Sequence, residues 1–398
     1  MSSSDSGFSF TILHRDGESR ARGALLRTPH GEIETPNFVF CATRGAIKGL
    51  TMEQMRACGA EYILANTYHL MLQPGEDRVA RQEGLHKMMN WPGPLLTDSG
   101  GFQIFSLGHG WIADEIKGRR KQAQRSDLIR IDEEGAVFRS YVDGRLCQLT
   151  PESSIEIQAK LGADFSVVLD ECTPYHVDRS YTEKSMRMSH RWALRSLDRF
   201  NRINDGRQAL FGIVQGGVYP DLRAESVSFV AEQPFFGQAI GGCLGANKEQ
   251  MFEVVDQCAG GLHPARPVHL LGIGGITDLW RGVALGVDTF DCVHPTRLAR
   301  HGGALCRPDL NEGREHLNLR NARFAEDSEP LDPSLACPAS TDYSRAYIHH
   351  LVKCGEPLGG QLLAMHNVCF VMRTIREIRQ AIQNGCFAEK LRERTATK

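Results

Sequence analysis

An α/β chain folded as one (β/α)8 TIM barrel is the architecture this sequence predicts, and three observations carry it. Short apolar stretches that end on a polar or glycine-rich loop and give way to a helical stretch recur seven times, with Phe38-Val39-Phe40 as an eighth strand ahead of them. Polar residues stand at the ends of many of these strands, which suits the single mouth of a closed barrel. A doubly wound open sheet, the alternative class, gathers its ligand at one switch point. At 398 residues the chain suffices for one large barrel or two smaller domains. No linker stands out, so residues 1–398 read as a single catalytic barrel domain with an insertion at 108–144 and a small subdomain at 318–387 packed on it.

Taken in order, residues 8–40 alternate as an antiparallel hairpin does, with the turn Thr28-Pro29-His30-Gly31 between Ala24-Leu25-Leu26 and Ile33. Residues 51–58 read as a helix with Thr51 as N-cap and Gln54 three residues on. Tyr62-Ile63-Leu64-Ala65 then ends on Asn66-Thr67-Tyr68-His69, and Pro94-Leu95-Leu96-Thr97 on Asp98-Ser99-Gly100-Gly101-Phe102-Gln103. Phe165-Ser166-Val167-Val168-Leu169 ends on Asp170-Glu171-Cys172, and Leu210-Phe211-Gly212-Ile213-Val214 on Gln215-Gly216-Gly217. Gln238-Ala239-Ile240 ends on Gly241-Gly242-Cys243, Leu270-Leu271-Gly272-Ile273 on Gly274-Gly275, and Thr289-Phe290 on Asp291. Glycine at a strand end lets backbone approach a ligand closely.

Two segments break this rhythm. Residues 108–144 carry the basic run 117–125, which fits either a nucleic-acid backbone or a solvated loop, and then a hairpin of Ile129-Arg130-Ile131 and Ala136-Val137-Phe138. Residues 318–387 are helical, with apolar positions at three- and four-residue steps through 372–382.

Composition narrows the function. The chain is 41% hydrophobic and 24% charged with net charge −2, so a polyanion would have to meet a local patch rather than a generally basic protein. The start, 1–6, is polar with no signal core, and no run is long and apolar enough to span a membrane. Twelve scattered cysteines without a Cys-x-x-Cys pair predict reduced, mostly buried thiols and a cytoplasmic setting.

The most informative stretch is 286–302. Thr289 to Val293 has the character of a buried strand, Pro295 stops it, and Asp291 lies near its C-terminal end. Arg297 and Arg300 follow within one loop. A carboxylate beside two guanidinium groups suits chemistry on a phosphate-bearing substrate; a salt-bridged strand end is the plain alternative.

Several long motifs, in order, resemble the tRNA-guanine transglycosylases. They are Asn66-Thr67-Tyr68-His69-Leu70, Thr97-Asp98-Ser99-Gly100-Gly101-Phe102-Gln103, Asp170-Glu171-Cys172-Thr173-Pro174-Tyr175, Phe211-Gly212-Ile213-Val214-Gln215-Gly216-Gly217, Phe290-Asp291-Cys292-Val293 with Pro295-Thr296-Arg297, and Ser344-Arg345-Ala346-Tyr347. The resemblance spans residues 8–385 and implies a pentosyltransferase that replaces guanine at wobble position 34 of tRNAs with a GUN anticodon by a 7-deazaguanine. Asp291 matches the family's nucleophile, which would hold the ribosyl group as a covalent ester while bases exchange, with net retention at C1′. Asp98 matches the second carboxylate, expected to move protons to and from the bases. Asp170 and Gln215 would meet the donor and carbonyl edges of the base, with the backbone N–H of Gly242 beside them. Phe102, where bacterial members usually have tyrosine, and Leu271 match the residues that sandwich the base. Ser99, Cys172 and Cys243 are expected to line the pocket, and Arg297 and Arg300 to contact tRNA beside an unstacked wobble base.

Two departures from the family stand out. Its subdomain carries a Cys-x-Cys-x-x-Cys motif and a distant His that bind zinc; here the matching residues are Leu335, Cys337, Ser340 and His366. With two ligands replaced, no cofactor is expected, Cys337 and His366 read as remnants, and apolar packing is expected to substitute. Cys354 and Cys369 lie nearby, but their spacing gives no reason to recruit them. The second departure is Gly245, where enzymes using the aminomethyl precursor preQ1 usually have valine and queuine-using enzymes have glycine. This favours queuine, with preQ1 as the alternative, although Ala246-Asn247 replaces the family's frequent Gly-Glu.

Other readings fit less well. A non-catalytic tRNA-binding partner subunit is disfavoured because Asp98, Asp170, Gln215 and Asp291 are all present. The archaeal relative acting in the D-loop carries a further C-terminal RNA-binding domain, for which no sequence follows Lys398. A metal hydrolase needs a strand-end His/Asp cluster, and His69 is the evident strand-end His; a phosphosugar isomerase or aldolase lacks its Lys or Glu base. The expected partners are tRNAs for aspartate, asparagine, histidine and tyrosine and a free 7-deazaguanine base. A homodimer is expected from the bacterial-type 171–175 segment, with a heterodimer of homologous subunits as the alternative.

Overall fold

The computed structural model describes residues 7–108, 128–174, 177–242, 245–308 and 311–396. The chain opens with strands β1 (Ser9–Arg15), β2 (Arg22–Thr28) and β3 (Gly31–Thr35), an antiparallel sheet in order β1-β2-β3. The expected hairpin is β2–β3, and β1 adds a third strand to it. The barrel strands follow as β4 (Asn37–Cys41), β5 (Tyr62–Ala65) and β6 (Leu95–Thr97). The insertion contributes β7 (Leu128–Asp132), β8 (Gly135–Arg139) and β9 (Leu146–Leu149), a small antiparallel sheet; its basic run 117–125 lies outside the described residues. The barrel resumes with β10 (Phe165–Val167), β11 (Ala209–Val214), β12 (Gly237–Ile240), β13 (Val268–Leu270) and β14 (Thr289–Cys292).

The eight parallel strands close in the order β10-β11-β12-β13-β14-β4-β5-β6, which excludes the open sheet. β14 pairs with β4, so Asp291 lies beside Val39 and the ring is sealed next to the predicted nucleophile. The strands carry the β-branched and aromatic side chains that fill a barrel interior. Low in the barrel, Phe165 packs edge-on against Phe8, Tyr62 and Phe211 at ring separations of 5.5, 5.9 and 5.4 Å. The first crossover contains the helix Met52–Ala57, capped as expected: Gln54 N donates to Thr51 Oγ1, and Gln54 Oε1 accepts from Thr51 N.

The β1–β3 sheet is fastened to the N-terminal end of the barrel, opposite the predicted site. Arg22 forms a two-pronged buried pair with Asp288, at 2.8 and 2.6 Å, just ahead of β14. His30, in the β2–β3 turn, lies 2.7 Å from Asp164 at the start of β10.

After β14 come β15 (Gly303–Leu305) and β16 (His316–Asn318), a two-stranded ribbon, and then the helices Arg345–Cys354, Pro357–Gln383 and Phe387–Ala396. The 27-residue helix Pro357–Gln383 docks on the barrel through buried polar ties as well as its apolar face. Asn367 donates to the carbonyls of Pro295 (2.8 Å) and Gly303 (3.1 Å) and accepts from Leu305 N (2.7 Å). Arg379 donates to the Pro36 carbonyl and to Glu61 at 2.8 Å each.

Two local expectations need correction. The strand expected over 270–273 is β13, which begins at Val268 and ends at Leu270; Gly272, at φ +76°, turns the chain away. Arg297 and Arg300 lie on a short helix, His294–Arg300, rather than in a loop, because Pro295 sits in its first turn, where a missing N–H costs nothing. Among the described residues no helix is long and apolar enough to cross a membrane.

Candidate active site

The C-terminal ends of β4, β5, β6, β10, β11, β12, β13 and β14 bring the predicted polar groups to one mouth. Asp291, on β14, is largely buried, and its Oδ1 is held twice: by His269 Nε2 at 3.1 Å and by the N–H of Gly272 at 3.0 Å. Its Oδ2 meets only a weak donor among the described residues, the thiol of Cys41 at 3.7 Å from the neighbouring strand β4. Burial, reinforced by the charge of Asp291, pushes the Cys41 thiol well above its ordinary pKa, so it stays protonated and donates. One carboxylate oxygen is therefore anchored and the other left comparatively free.

Asp98 follows β6. Its Oδ2 accepts from Asn66 Nδ2 and, at 2.8 Å, from Gln103 Nε2; its Oδ1 accepts from the N–H of Thr67 at 2.8 Å. Burial nevertheless raises the pKa of Asp98. The three hydrogen bonds oppose that shift, and the charge of Asp291 adds to it. Asp170, after β10, is more deeply buried, and burial lifts it to about 6, with a further contribution from Asp98. Asp98 thus lies within electrostatic reach of Asp291 on one side and of Asp170 on the other.

Gln215, at the end of β11, donates from Nε2 to Asp170 Oδ2 at 2.6 Å. Its Oε1 is buried and has no hydrogen-bond partner among the described residues. The amide is thus half satisfied, with one buried acceptor left over. Gly242 lies against it: a Cβ there would stand 2.4 Å from Gln215 Oε1, and the residue has φ +59°. The loops after β11 and β12 are tied by the buried Arg223, which donates to the carbonyls of Gly217, Gly241 and Gly242 at 2.7 Å each and of Val214 at 3.2 Å. Leu271 is half-buried beside Gly241, Ser99 is buried behind Asp98, and Cys172 is half-buried beyond Asp170. Phe102 is an exposed aromatic, 43% accessible, in the first turn of the helix Gly101–Gly108. Cys243 lies outside the described residues.

Gly245 has φ +60°, and a Cβ would lie 3.0 to 3.2 Å from Gln250. Asn247 accepts from Gln250 N at 2.9 Å and caps the helix Lys248–Gly261. On the helix His294–Arg300, Arg297 is half-buried and Arg300 is exposed, with its guanidinium turned back onto the Thr296 carbonyl at 3.1 Å. His69 is not part of a metal cluster among the described residues: it bonds the Tyr141 hydroxyl at 3.0 Å, and burial lowers its pKa to about 4.

The subdomain positions behave unexpectedly. Leu335 packs in the core, Ser340 Oγ lies 2.8 Å from His366 Nδ1, and His366 Nε2 meets the Leu305 carbonyl at 2.8 Å. Both imidazole nitrogens thus meet protein oxygens. Yet Cys337 is not left among apolar side chains alone. Cys58 and Cys369 converge on it, with the three sulfur atoms within 4.8 Å of one another, whereas Cys354 stays exposed.

Sequence reasoning passed over His269, Cys41, Asn66 and Gln103 as supports of the two acids. His269 had a signal, a lone imidazole inside the apolar run Val268-His269-Leu270; Cys41 had none until β4 and β14 were known to pair.

The profile of the queuine tRNA-ribosyltransferase family matches residues 16–398. Three similar proteins bear the name queuine tRNA-ribosyltransferase. One from Roseiflexus sp. (strain RS-1) is 49% identical over 95% of this chain and 97% of its own length. One from Thermus thermophilus is 46% identical over 97% and 93%. One from Protochlamydia amoebophila is 42% identical over 94% and 95%.

Proposed function

This chain belongs to the queuine tRNA-ribosyltransferase family, the tRNA-guanine transglycosylases, and on that premise we propose that it exchanges guanine 34 of GUN-anticodon tRNAs for queuine through a covalent ribosyl ester on Asp291. The observation that carries this mechanism is the asymmetry at Asp291, one oxygen anchored by His269 and Gly272 and the other facing only the Cys41 thiol. Asp291 Oδ2 attacks C1′ of the unstacked nucleotide, and the electron pair of the glycosidic bond departs with guanine. Asp98, whose pKa burial raises, supplies the proton the leaving base needs. The incoming base, after losing its ring proton to Asp98, attacks C1′ from the opposite face and frees the carboxylate.

Asp170 in its ionised form accepts from the donor edge of the base, while Gln215 turns its amide from Asp170 to the base carbonyl beside the Gly242 N–H. Phe102 and Leu271 flank the base, Ser99 and Cys172 line the pocket, and Arg297 and Arg300 meet the anticodon loop. Queuine is favoured over preQ1 because Gly245 carries no side chain where preQ1-using relatives usually have valine, although Asn247, which caps a helix, stands where the family often has an acid. We further propose a homodimer with one active subunit per tRNA, which the mass of the protein in solution with and without tRNA will test.

The test of the reaction is release of labelled guanine from position 34 of a GUN tRNA with queuine and preQ1 in competition. Queuine driving release at the lower concentration is the expected result. Preference for preQ1 would overturn the base assignment alone, and no release by folded protein that binds tRNA would overturn the mechanism.

A further inference from the structure

We propose that Cys58, Cys337 and Cys369 form a soft divalent cation site, suited to zinc, built from a different ligand set than the Leu335–Cys337–Ser340–His366 positions of the subdomain. The three cysteines come from three parts of the chain. Cys58 ends the helix Met52–Ala57 in the crossover between β4 and β5; Cys337 precedes the short helix Pro338–Thr341; Cys369 lies in the middle of Pro357–Gln383. Each is only 4% exposed, so oxygen ligands from solvent do not compete. Their sulfur atoms lie within 4.8 Å of one another. Zinc–thiolate bonds of ~2.3 Å in a tetrahedron place sulfurs about 3.8 Å apart, so a shift of no more than roughly 1 Å brings the trio to a shared ion.

The donor set selects the ion. Three sulfurs favour zinc or a similarly soft cation and disfavour magnesium and calcium. Binding displaces the three thiol protons to solvent and leaves a buried centre of net charge −1. A fourth donor could come from the same helix as Cys369: His366 stands one turn before it, and its Nδ1, which now meets Ser340 Oγ, would have to turn to the ion. Of the four positions the family uses, Leu335 has no donor atom and Ser340 Oγ is engaged with His366, so only Cys337 and His366 remain to be shared with the new set. The relocated set also differs in what it joins. Cys58 belongs to the barrel itself, so the ion would staple the first crossover to the C-terminal helices.

The experiment is metal analysis of the purified full-length chain, with cobalt(II) reconstitution after chelation. We expect one zinc per chain, a thiolate-to-cobalt charge-transfer band of three-thiolate intensity, and loss of zinc in Cys58→Ser and in Cys369→Ser. Chelation should lower the melting temperature of the wild type and leave those variants unmoved. Folded wild type that takes up neither zinc nor cobalt would overturn the proposal, and so would full zinc content in both variants, which would point to another site such as His30, His86 and Asp164. If a serine variant fails to fold, the wild-type cobalt spectrum decides: a band of one-thiolate intensity, from Cys337 alone, contradicts the site.

Discussion

His269 Nε2 lies 3.1 Å from Asp291 Oδ1, while its Nδ1 lies 2.8 Å from the hydroxyl of Thr289. A neutral imidazole protonated at Nε2 satisfies both contacts: it donates to the carboxylate and accepts from the threonine. His269 is buried and anchored on β13, so it fixes the rotamer of Asp291 on the adjacent strand. Replacing His269 by Ala should slow guanine exchange by roughly 10- to 100-fold, the worth of a hydrogen bond to a charged group. His269→Gln, which keeps a donor, should recover part of that loss in the same single-turnover assay.

Asp170 titrates near pH 6 because burial disfavours its charge. Base binding through its ionised form should weaken as pH falls through about 6, seen as a rise in KM for the free base. The stability effect has the opposite sense. A carboxyl raised in the folded state favours the protonated form, so its stabilising contribution is full below about pH 4 and lost as pH rises through about 6. Asp170→Asn should therefore abolish base exchange yet stabilise the fold at pH 8, by at most about 3 kcal/mol, and change little at pH 4. Urea melts at the two pH values check both signs.

Much of this was legible in the sequence because the informative features are local. The Thr51–Gln54 cap, the Pro29-His30 turn and the polar strand ends all follow from neighbouring residues, and the recurring strand–loop–helix unit leads to the closed barrel. The errors came where contacts between distant residues decide. The start of β13 is set by Asp288, whose Oδ2 accepts from Val268 N at 2.7 Å, and placing that strand two residues late hid His269. Cys58 and Cys337 are nearly three hundred positions apart, so no spacing rule joins them; docking of the helix Pro357–Gln383 does.

Gly245→Val tests the base assignment. Positive φ and the nearby Gln250 make a β-branched residue strained there, at a cost of about 1–3 kcal/mol. Exchange of guanine should survive within a few-fold, whereas queuine incorporation should fall at least about tenfold as the space closes. Equal losses with both bases would mean that the loop was merely distorted.

The Arg22–Asp288 pair is wholly structural, because it lies at the opposite end of β14 from Asp291. Arg22→Met leaves a buried, unpaired carboxylate and should cost about 3–5 kcal/mol in denaturant unfolding. The guanine exchange rate of the remaining folded protein should match the wild type.

The most direct test of the central claim is a denaturing gel of the chain quenched during turnover with a GUN tRNA, beside Asp291→Asn. A protein–tRNA adduct is expected with the wild type, dispersed by added free base, and neither adduct nor guanine exchange with Asp291→Asn. An adduct that persists in Asp291→Asn, or exchange at the wild-type rate without Asp291, would contradict the covalent mechanism.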